Sequence, residues 1–302
     1  MHDPLSEIIR LLSPRAVFSK PISGAGRWGV RYSRFDQPSF AAVLEGSCRL
    51  AVDGHRPVTL EAGDFVLLPA TPGFTLSGFQ PVQPQRIDPK VMPSPSGEVR
   101  HGTPHGRPDV RLLGGYFTFG SPDQALLVSL LPGVIHVRGV ERLTLLVRLV
   151  AEETHEHRSG RELILSRLVE VLLIEALRSA PDDGAPPGLL RGLSDARLAP
   201  ALRQMHAQLA RSWTVPQLAK VAGLSRSTFF DRFSSAVGVP PMEYLLAWRM
   251  AVARDLLRES GLGIAEVAER VGYASSSTFS TAFSRHVGTA PGRYARSSRA
   301  AA

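Results

Sequence analysis

The chain of 302 residues contains one cysteine, Cys48, and therefore cannot form an intramolecular disulfide. A lone cysteine fits a reducing compartment. Cys48 alternates with apolar neighbours in a strand-like run, which predicts a buried packing role. No apolar run is long enough to cross a membrane, and Met1–Ser13 lacks the basic-then-apolar layout of a signal peptide. These absences predict a cytoplasmic protein with no membrane partner.

Metal-binding and catalytic patterns are also scarce. Between Trp28 and Leu76 the only histidine is His55, which lies on a predicted turn. His101 and His105 lie four residues apart in a loop rich in proline and glycine, where this spacing does not bring side chains together. His155 and His157 cannot share one face of a helix. Because phosphate-binding glycine loops and serine nucleophile elbows are missing as well, the sequence predicts no metal, no cofactor and no enzymatic activity.

Acidic charge is scarce in the last third of the chain. Residues 1–190 have 20 Lys and Arg against 20 Asp and Glu, whereas residues 191–302 have 15 against 7. The whole net charge of +8 is therefore carried by the C-terminal segment. A basic surface confined to one domain is typical of proteins that bind a polyanion such as nucleic acid.

The basic segment contains one pattern twice, between Trp213 and Tyr294. The matching positions in the two copies are Leu218 and Val267, Ala219 and Ala268, Gly223 and Gly272, Phe229 and Phe279, Phe233 and Phe283, Gly238 and Gly288, Pro241 and Pro291, and Tyr244 and Tyr294. The offset is 49 residues up to the first glycine and 50 after it. Each copy predicts a short helix, a glycine turn and a second helix, which is a helix-turn-helix. Met242–Arg258 predicts a long helix that separates the copies.

The first half of the chain predicts strands between helices. An amphipathic helix is expected at Pro4–Leu12, and Pro81–Pro108 is expected to be a long loop. Short runs of β-forming residues separated by tight turns indicate a small β-barrel or sandwich. These runs are Phe40–Leu44, Cys48–Val52, Val58–Leu60, Phe65–Leu68 and Leu112–Phe119. Two helices are predicted to follow, at Glu141–His157 and Arg161–Arg178.

We therefore predict an α+β chain with two domains. Residues 1–180 form a small β-barrel or sandwich with two following helices, 181–190 a linker, and 191–302 an all-α domain of two helix-turn-helix motifs joined by a long helix. Helix 161–178 is apolar on two sides, so it needs two packing partners. One is the barrel and the other is a second copy of the chain, which predicts a homodimer.

The repeat resembles the AraC family of bacterial transcription regulators. The residues that carry the resemblance include Gly223-Leu224-Ser225 in the first copy and Val271-Gly272-Tyr273 in the second. The first 180 residues are similar to the cupin-type domains of that family at Leu44–Cys48, Leu60–Asp64 and Leu131–His136, and this resemblance makes the first domain a cupin-like β-barrel. The resemblance implies sequence-specific binding to double-stranded promoter DNA, a small-molecule effector in the barrel and a dimer contact from its helices. RNA polymerase is a further candidate partner.

DNA-contacting residues are expected on the second helix of each motif, which fits the major groove. The exposed candidates are Arg226, Ser227, Phe230 and Asp231 in the first motif, and Ser276, Ser277, Ser280 and Thr281 in the second. The family's base-reading positions fall on Ser227, Phe230, Asp231, Ser276, Ser277 and Thr281. Arg226, Arg232 and Arg285 are expected to meet phosphates or to pair with acidic neighbours. The alternative for the small polar residues is simple solvation.

Aromatic residues of the barrel are candidates for an effector pocket. Trp28, Tyr32, Phe40 and Phe74 could line such a pocket, and the alternative is that they form the core. A second hypothesis for the whole chain is a cupin-type enzyme with an appended interaction domain. Turnover of a small acid or sugar by residues 1–180, abolished by chelation, would favour that hypothesis.

Overall fold

The computed structural model describes residues 3–35, 37–88, 97–120, 128, 131–155, 158–179, 187–259 and 261–300. The chain divides into two compact units, a barrel unit with two helices and a helical unit. None of the described helices has an apolar stretch of the length that a membrane crossing requires.

The barrel unit is an antiparallel sheet with parallel pairs at its two edges. Its described strands are β1 Pro14–Ala25, β2 Gly29–Tyr32, β3 Ser39–Val52, β4 Val58–Glu61, β5 Phe65–Leu68, β6 Phe74–Ser77, β7 Gln85–Ile87, β8 Val99–Gly102, β9 Val110–Phe119 and β10 Ile135–Val137. The strand order is β7-β2-β6-β3-β9-β1-β8, with β4 and β5 paired to β3 and β10 paired to β5. The long β3 thus joins the two curved halves of a cupin-like barrel.

Strand β3 bends in the middle, which lets it pair with four other strands. Its register against β9 shifts between Val43 and Glu45, and Gly46 follows with a φ of +73°. A Cβ at Gly46 would collide with the backbone carbonyl of Asp109. A glycine is therefore needed here both for the left-handed backbone and for the close approach of the neighbouring loop. The sequence predicts two separate strands here, and the structure joins them.

Two helices complete the barrel unit. Helix α2 is Glu141–His155 and α3 is Arg161–Arg178; residues 156 and 157 of the predicted first helix lie outside the described residues. The two helices pack against each other and against β1. Val169 of α3 is fully buried. One of the two apolar sides of this helix is therefore covered within the barrel unit.

The helical unit contains the N-terminal helix as well as the C-terminal helices. Its helices are α1 Pro4–Leu12, α4 Leu189–Ser194, α5 Leu198–Ala207, α6 Val215–Val221, α7 Arg226–Val237, α8 Pro241–Glu259, α9 Ile264–Arg270, α10 Ser276–Val287 and α11 Pro291–Ala300. Thr214 caps α6 in a capping box with Gln217, and Ser225 caps α7. These side chains satisfy the free backbone N–H groups of the first helical turn, so the predicted helix starts follow from local chemistry.

The structure differs from the sequence-based expectations in two further places. Pro81–Pro108, expected to be a loop, contains β7 and β8, while residues 89–96 lie outside the described part. Helix α1, expected with the first 180 residues, groups with the helical unit. The division at a 181–190 linker stays a prediction, and residues 180–186 are outside the described residues.

Candidate nucleic-acid interface and ligand cavity

The two helix-turn-helix motifs have the same local geometry. In the first, the turn residue Gly223 has a φ of +63°, and in the second Gly272 has a φ of +83°. Both lie in the left-handed region, where glycine is favoured. A Cβ at Gly272 would also lie 2.7 Å from the carbonyl oxygen of Ala210. The turn thus requires glycine because of its backbone and because of its crowded surroundings.

Pairs of buried phenylalanines hold the second helix of each motif. The ring centroids of Phe229 and Phe233 are 5.6 Å apart, and those of Phe279 and Phe283 are 5.4 Å apart. All four side chains are fully buried. Because residues four apart share a helical face, this anchoring turns the opposite faces of α7 and α10 outward.

The outward faces contain the residues expected at the DNA. In α7, Arg226, Ser227, Phe230, Asp231 and Arg232 are exposed. In α10, Ser276, Ser277, Thr281 and Arg285 are exposed, and Ser280 is half-buried. The structure therefore brings the candidates of each motif onto one helix surface.

Neighbouring hydroxyls at the start of α7 and of α10 are arranged in the same way. The Oγ of the N-cap Ser225 lies 3.2 Å from that of Ser227, and the Oγ of the N-cap Ser275 lies 3.0 Å from that of Ser277. In addition, Thr281 donates to the carbonyl of Ser277 over 3.1 Å. Ser227 and Ser277 are thus positioned by the helix cap before any ligand is present.

The three candidate arginines differ in their partners. Arg232 donates to Asp195 over 2.6 Å. Burial by itself would raise the pKa of Asp195, but hydrogen bonds from Arg232 and from two backbone amides bring it below its ordinary value. The same contact raises the pKa of Arg232. Within the described part of the chain, Arg226 and Arg285 have no such carboxylate partner and stay available to an anion.

The spacer helix α8 is hydrogen-bonded to the segment that precedes the first motif. Arg249 donates to the carbonyls of Leu209 and Arg211, at 2.9 and 2.8 Å from one terminal nitrogen. Burial lowers the pKa of Arg249. These bonds satisfy backbone acceptors between α5 and α6, so Arg249 has a structural role.

A buried polar chain links α1 to the first motif. His206 is completely buried as a side chain; its Nδ1 lies 2.9 Å from Glu7 and its Nε2 2.7 Å from the hydroxyl of Tyr244. The ring of Tyr244 in turn meets Phe233 edge-on at 5.8 Å. Sequence reasoning missed this chain because its members are far apart along the sequence, and no local pattern marks them.

The barrel unit encloses an apolar cavity of about 320 Å³. Tyr32, Phe40 and Phe74 line it together with Phe18, Lys20, Phe35 and Tyr116. Tyr32 and Phe74 stack at 4.8 Å. Burial raises the pKa of Tyr32, so its hydroxyl keeps its proton. These three aromatic residues therefore form part of the cavity wall.

Trp28 does not line this cavity. It is 3% exposed, it stacks on His101 at 6.1 Å, and a Cβ at Gly24 would overlap its ring. Its role is to fill the core near β8, which is the alternative that the sequence left open.

The sequence-based candidates also missed the cavity residues of β1. Pro14, Pro21 and Gly24 interrupt this strand and hide it from propensity-based reasoning. The available signal was the alternation of Phe18, Lys20 and Ile22, all of which face the cavity. A lysine in such an alternation would ordinarily be assigned to solvent.

Two helix-turn-helix motifs on a shared long helix, attached to a cupin-like barrel with a cavity, define the class of DNA-binding regulators with a sensor domain. Comparison with known families agrees: a cupin family model matches residues 3–182, and a helix-turn-helix domain model matches residues 218–297.

Relatives match the chain along nearly its whole length. A Streptomyces lividans protein named an AraC-like transcription regulator is 37% identical over 97% of this chain and 97% of its own. A Streptomyces antibioticus protein with the same name is 36% identical over 97% and 98%. The transcriptional regulator AlkR of Acinetobacter baylyi is 31% identical over 90% and 92%. The chain belongs to the family of AraC-like transcription regulators and has a helix-turn-helix DNA-binding domain.

Proposed function

We propose that the chain is a cytoplasmic, effector-responsive regulator that reads promoter DNA through α7 and α10. The observation that carries this proposal is the pair of exposed helix faces, each held by two fully buried phenylalanines. The +8 charge of the segment that contains them adds attraction for the phosphate backbone.

Within each interface we assign separate roles. Ser227, Phe230 and Asp231 read one end of a half-site, and Ser276, Ser277 and Thr281 read the other. An aspartate accepts a hydrogen bond from the amino group of cytosine, and an apolar ring contacts the methyl group of thymine. Serine and threonine discriminate little between bases, so the first motif contributes more of the specificity. Ser280, half-buried, lies at the edge of this surface.

Arginines fix the position of the protein on the duplex. Arg226 and Arg285 contact phosphates, which contributes affinity without sequence preference. Arg232 remains on Asp195, where it holds α7 against the start of α5. Helix α8 has 19 residues and therefore spans about 28 Å at about 1.5 Å per residue. This length suits two motifs placed in successive major grooves, about 34 Å apart.

The pairing surface of the homodimer is assigned to α2 and α3. Both helices expose aliphatic side chains, with exposed fractions of 56% for Leu145, 63% for Leu163 and 38% for Val171. Ile174, the other residue considered for this contact, is half-buried. Exposed apolar side chains on neighbouring helices favour a self-complementary contact with a second copy. The dimer places two half-sites in one operator.

The cavity of the barrel unit is the proposed effector site. Its size fits the lower end of small-molecule pockets, about 300–1,000 Å³. A bound effector changes the affinity for DNA or the contact with RNA polymerase. The proposal assigns no catalytic activity to the cupin unit, and turnover of a small acid or sugar that chelators abolish would contradict it.

Selection of DNA sites from a random pool by the full-length protein tests the DNA-reading roles. Asp231→Ala should relax preference at one end of the selected half-site, and Thr281→Ala at the other. Arg285→Ala should weaken binding to all sequences and reduce the salt dependence by about one counterion. The control is Arg56→Ala, an exposed arginine on a barrel turn. A site shorter than one helical turn, or altered preference at the same bases by both motifs, would refute this assignment.

The dimer is tested by sedimentation of the full-length protein. Val171→Glu should shift it to monomers that bind a half-site more weakly. Val82→Glu is the matched control because both valines are 38% exposed. If the two variants sediment equally, α3 is not part of the dimer interface.

A further inference from the structure

Among the described residues, Lys20 is the only lysine or arginine that lines the barrel cavity, and its position is unusual for a cation. It extends from β1 among aromatic and aliphatic walls, with its amine 5.9 Å from the centroid of the Phe18 ring. No described aspartate or glutamate lines the cavity, and none forms an ion pair with Lys20 in the described part of the chain.

Burial of the amine has an electrostatic consequence. Desolvation lowers the pKa of Lys20, because a charged amine in an apolar space loses its hydration without a compensating partner. The Lys20 amine is therefore a cation in the cavity that has no carboxylate partner among the described residues. An anionic ligand group placed beside the amine would complete this pair and remove the cost.

Other polar groups of the lining are mostly occupied. Ser39 and Thr71 share a hydrogen bond of 2.7 Å between their hydroxyls, and Thr71 also donates to a backbone carbonyl. The hydroxyls of Tyr32 and Tyr116 belong to lining residues that can donate. One cation and two phenol donors suit one carboxylate. A phosphate would bring a second charge with no cation for it.

The size of the ligand follows from the volume. At about 30 Å³ per water-sized group, the cavity of about 320 Å³ holds about ten non-hydrogen atoms. Gly114 and Gly115 are part of its wall, and a Cβ at Gly115 would lie 2.8 Å from the ring of Phe40. These glycines keep the space open for an apolar body.

We propose that the cavity binds an amphipathic monocarboxylate, with its carboxylate paired to Lys20 and its apolar body among the aromatic walls. The ligand class is either a medium-chain fatty acid or an arylalkanoic acid, since both share this chemistry. This inference rests on the proposed effector site and specifies what that site selects.

Calorimetric titration of the full-length protein with probes of matched length tests the proposal. Octanoate, 1-octanol and octylamine share an apolar body and differ in charge. Octanoate should bind at least about tenfold more tightly than 1-octanol, since hydrogen bonds to charged groups contribute more than neutral ones. Octylamine should bind weakest because its charge repels Lys20. Comparison of the affinities for phenylacetate and octanoate then distinguishes an arylalkanoic acid from a fatty acid as the ligand.

Substitutions at Lys20 test whether its amine causes the preference for octanoate. Lys20→Met should abolish the preference for octanoate while 1-octanol still binds, and Lys20→Gln is a second neutral variant in case the first does not fold. Arg56→Met removes a surface cation and should leave all affinities unchanged. Equal binding of octanoate and 1-octanol by the wild type, or a preference that survives Lys20→Met, would refute the carboxylate assignment but not the effector site. Failure of every probe to bind would refute the inference, while DNA selection tests the regulator function independently.

Discussion

Glu7 should stabilise the DNA-binding unit although it lies near the other end of the sequence. Its carboxylate is 2.9 Å from Nδ1 of His206, whose side chain is completely buried. Glu7→Ala removes this partner and leaves a buried ring nitrogen without a hydrogen bond. The second nitrogen keeps its contact with Tyr244.

The expected cost follows from the chemistry of that site. Leaving a buried polar group unsatisfied costs about 1–3 kcal/mol of unfolding free energy. Glu7 itself is 27% exposed, so water can reach part of the vacated space and a value near the lower end is expected. Glu7→Gln keeps an oxygen acceptor for the Nδ1–H and should lose less than Glu7→Ala.

Urea unfolding followed by tryptophan fluorescence is the assay. Trp248 lies 4.3 Å from the His206 ring, and Trp213 belongs to the same helical unit, so two of the three tryptophans report on it. Glu152→Ala, at an exposed position of α2, is the matched control. If Glu7→Ala and Glu152→Ala agree within about 0.5 kcal/mol, the buried link contributes nothing and the reasoning is wrong.

Three other predictions concern single side chains. Phe229→Ala should destabilise the helical unit by about 3–5 kcal/mol, whereas Phe230→Ala, next to it but 42% exposed, should leave the unfolding midpoint unchanged and lower DNA affinity; equal unfolding midpoints would contradict the packing. Lys20→Met should raise the thermal midpoint of the ligand-free protein near pH 7. Because burial lowers the folded-state pKa of Lys20 below 10.5, its cost is full below the folded pKa and fades as pH rises to the unfolded value. A gain in midpoint that does not shrink as the pH rises from 7 to 10.5 would contradict this. Burial first, and then Asp64, raises the pKa of Cys48 to about 12, so a disulfide reagent at pH 8 should label it only when urea unfolds the barrel; rapid labelling of the folded protein would show that the thiol is accessible.

The helix-turn-helix motifs could be predicted because their determinants are local. Helix periodicity, the N-caps Thr214 and Ser225 and the turn glycines act within a few residues of one another. The duplication then adds a second instance of the turn glycine, Gly272, and of the serine N-cap, Ser275. For the same reason α3 has the predicted bounds, Arg161–Arg178, and α8 differs by one residue at each end from the predicted Met242–Arg258.

The barrel was predictable as a class but not in its pairing. A short run of β-forming residues marks strands such as β5, Phe65–Leu68, without saying which neighbour each strand pairs with. The pairing of β1 with β9 joins residues as distant as Pro14 and Phe119. That pairing places Phe18 opposite Tyr116, and both residues line the cavity; the residues of the cavity wall could therefore not be chosen from aromatic content alone.

The sequence by itself determined the repeated DNA-binding motif, its exposed and buried faces and the segregation of positive charge, because these depend on periodicity and composition. Only the tertiary structure decided that Lys20 faces an apolar cavity and that Glu7 completes a buried hydrogen-bond chain with a histidine 199 residues away. Contacts of this kind have no local signature, since they arise when segments distant in sequence pack together and bury the same polar atoms.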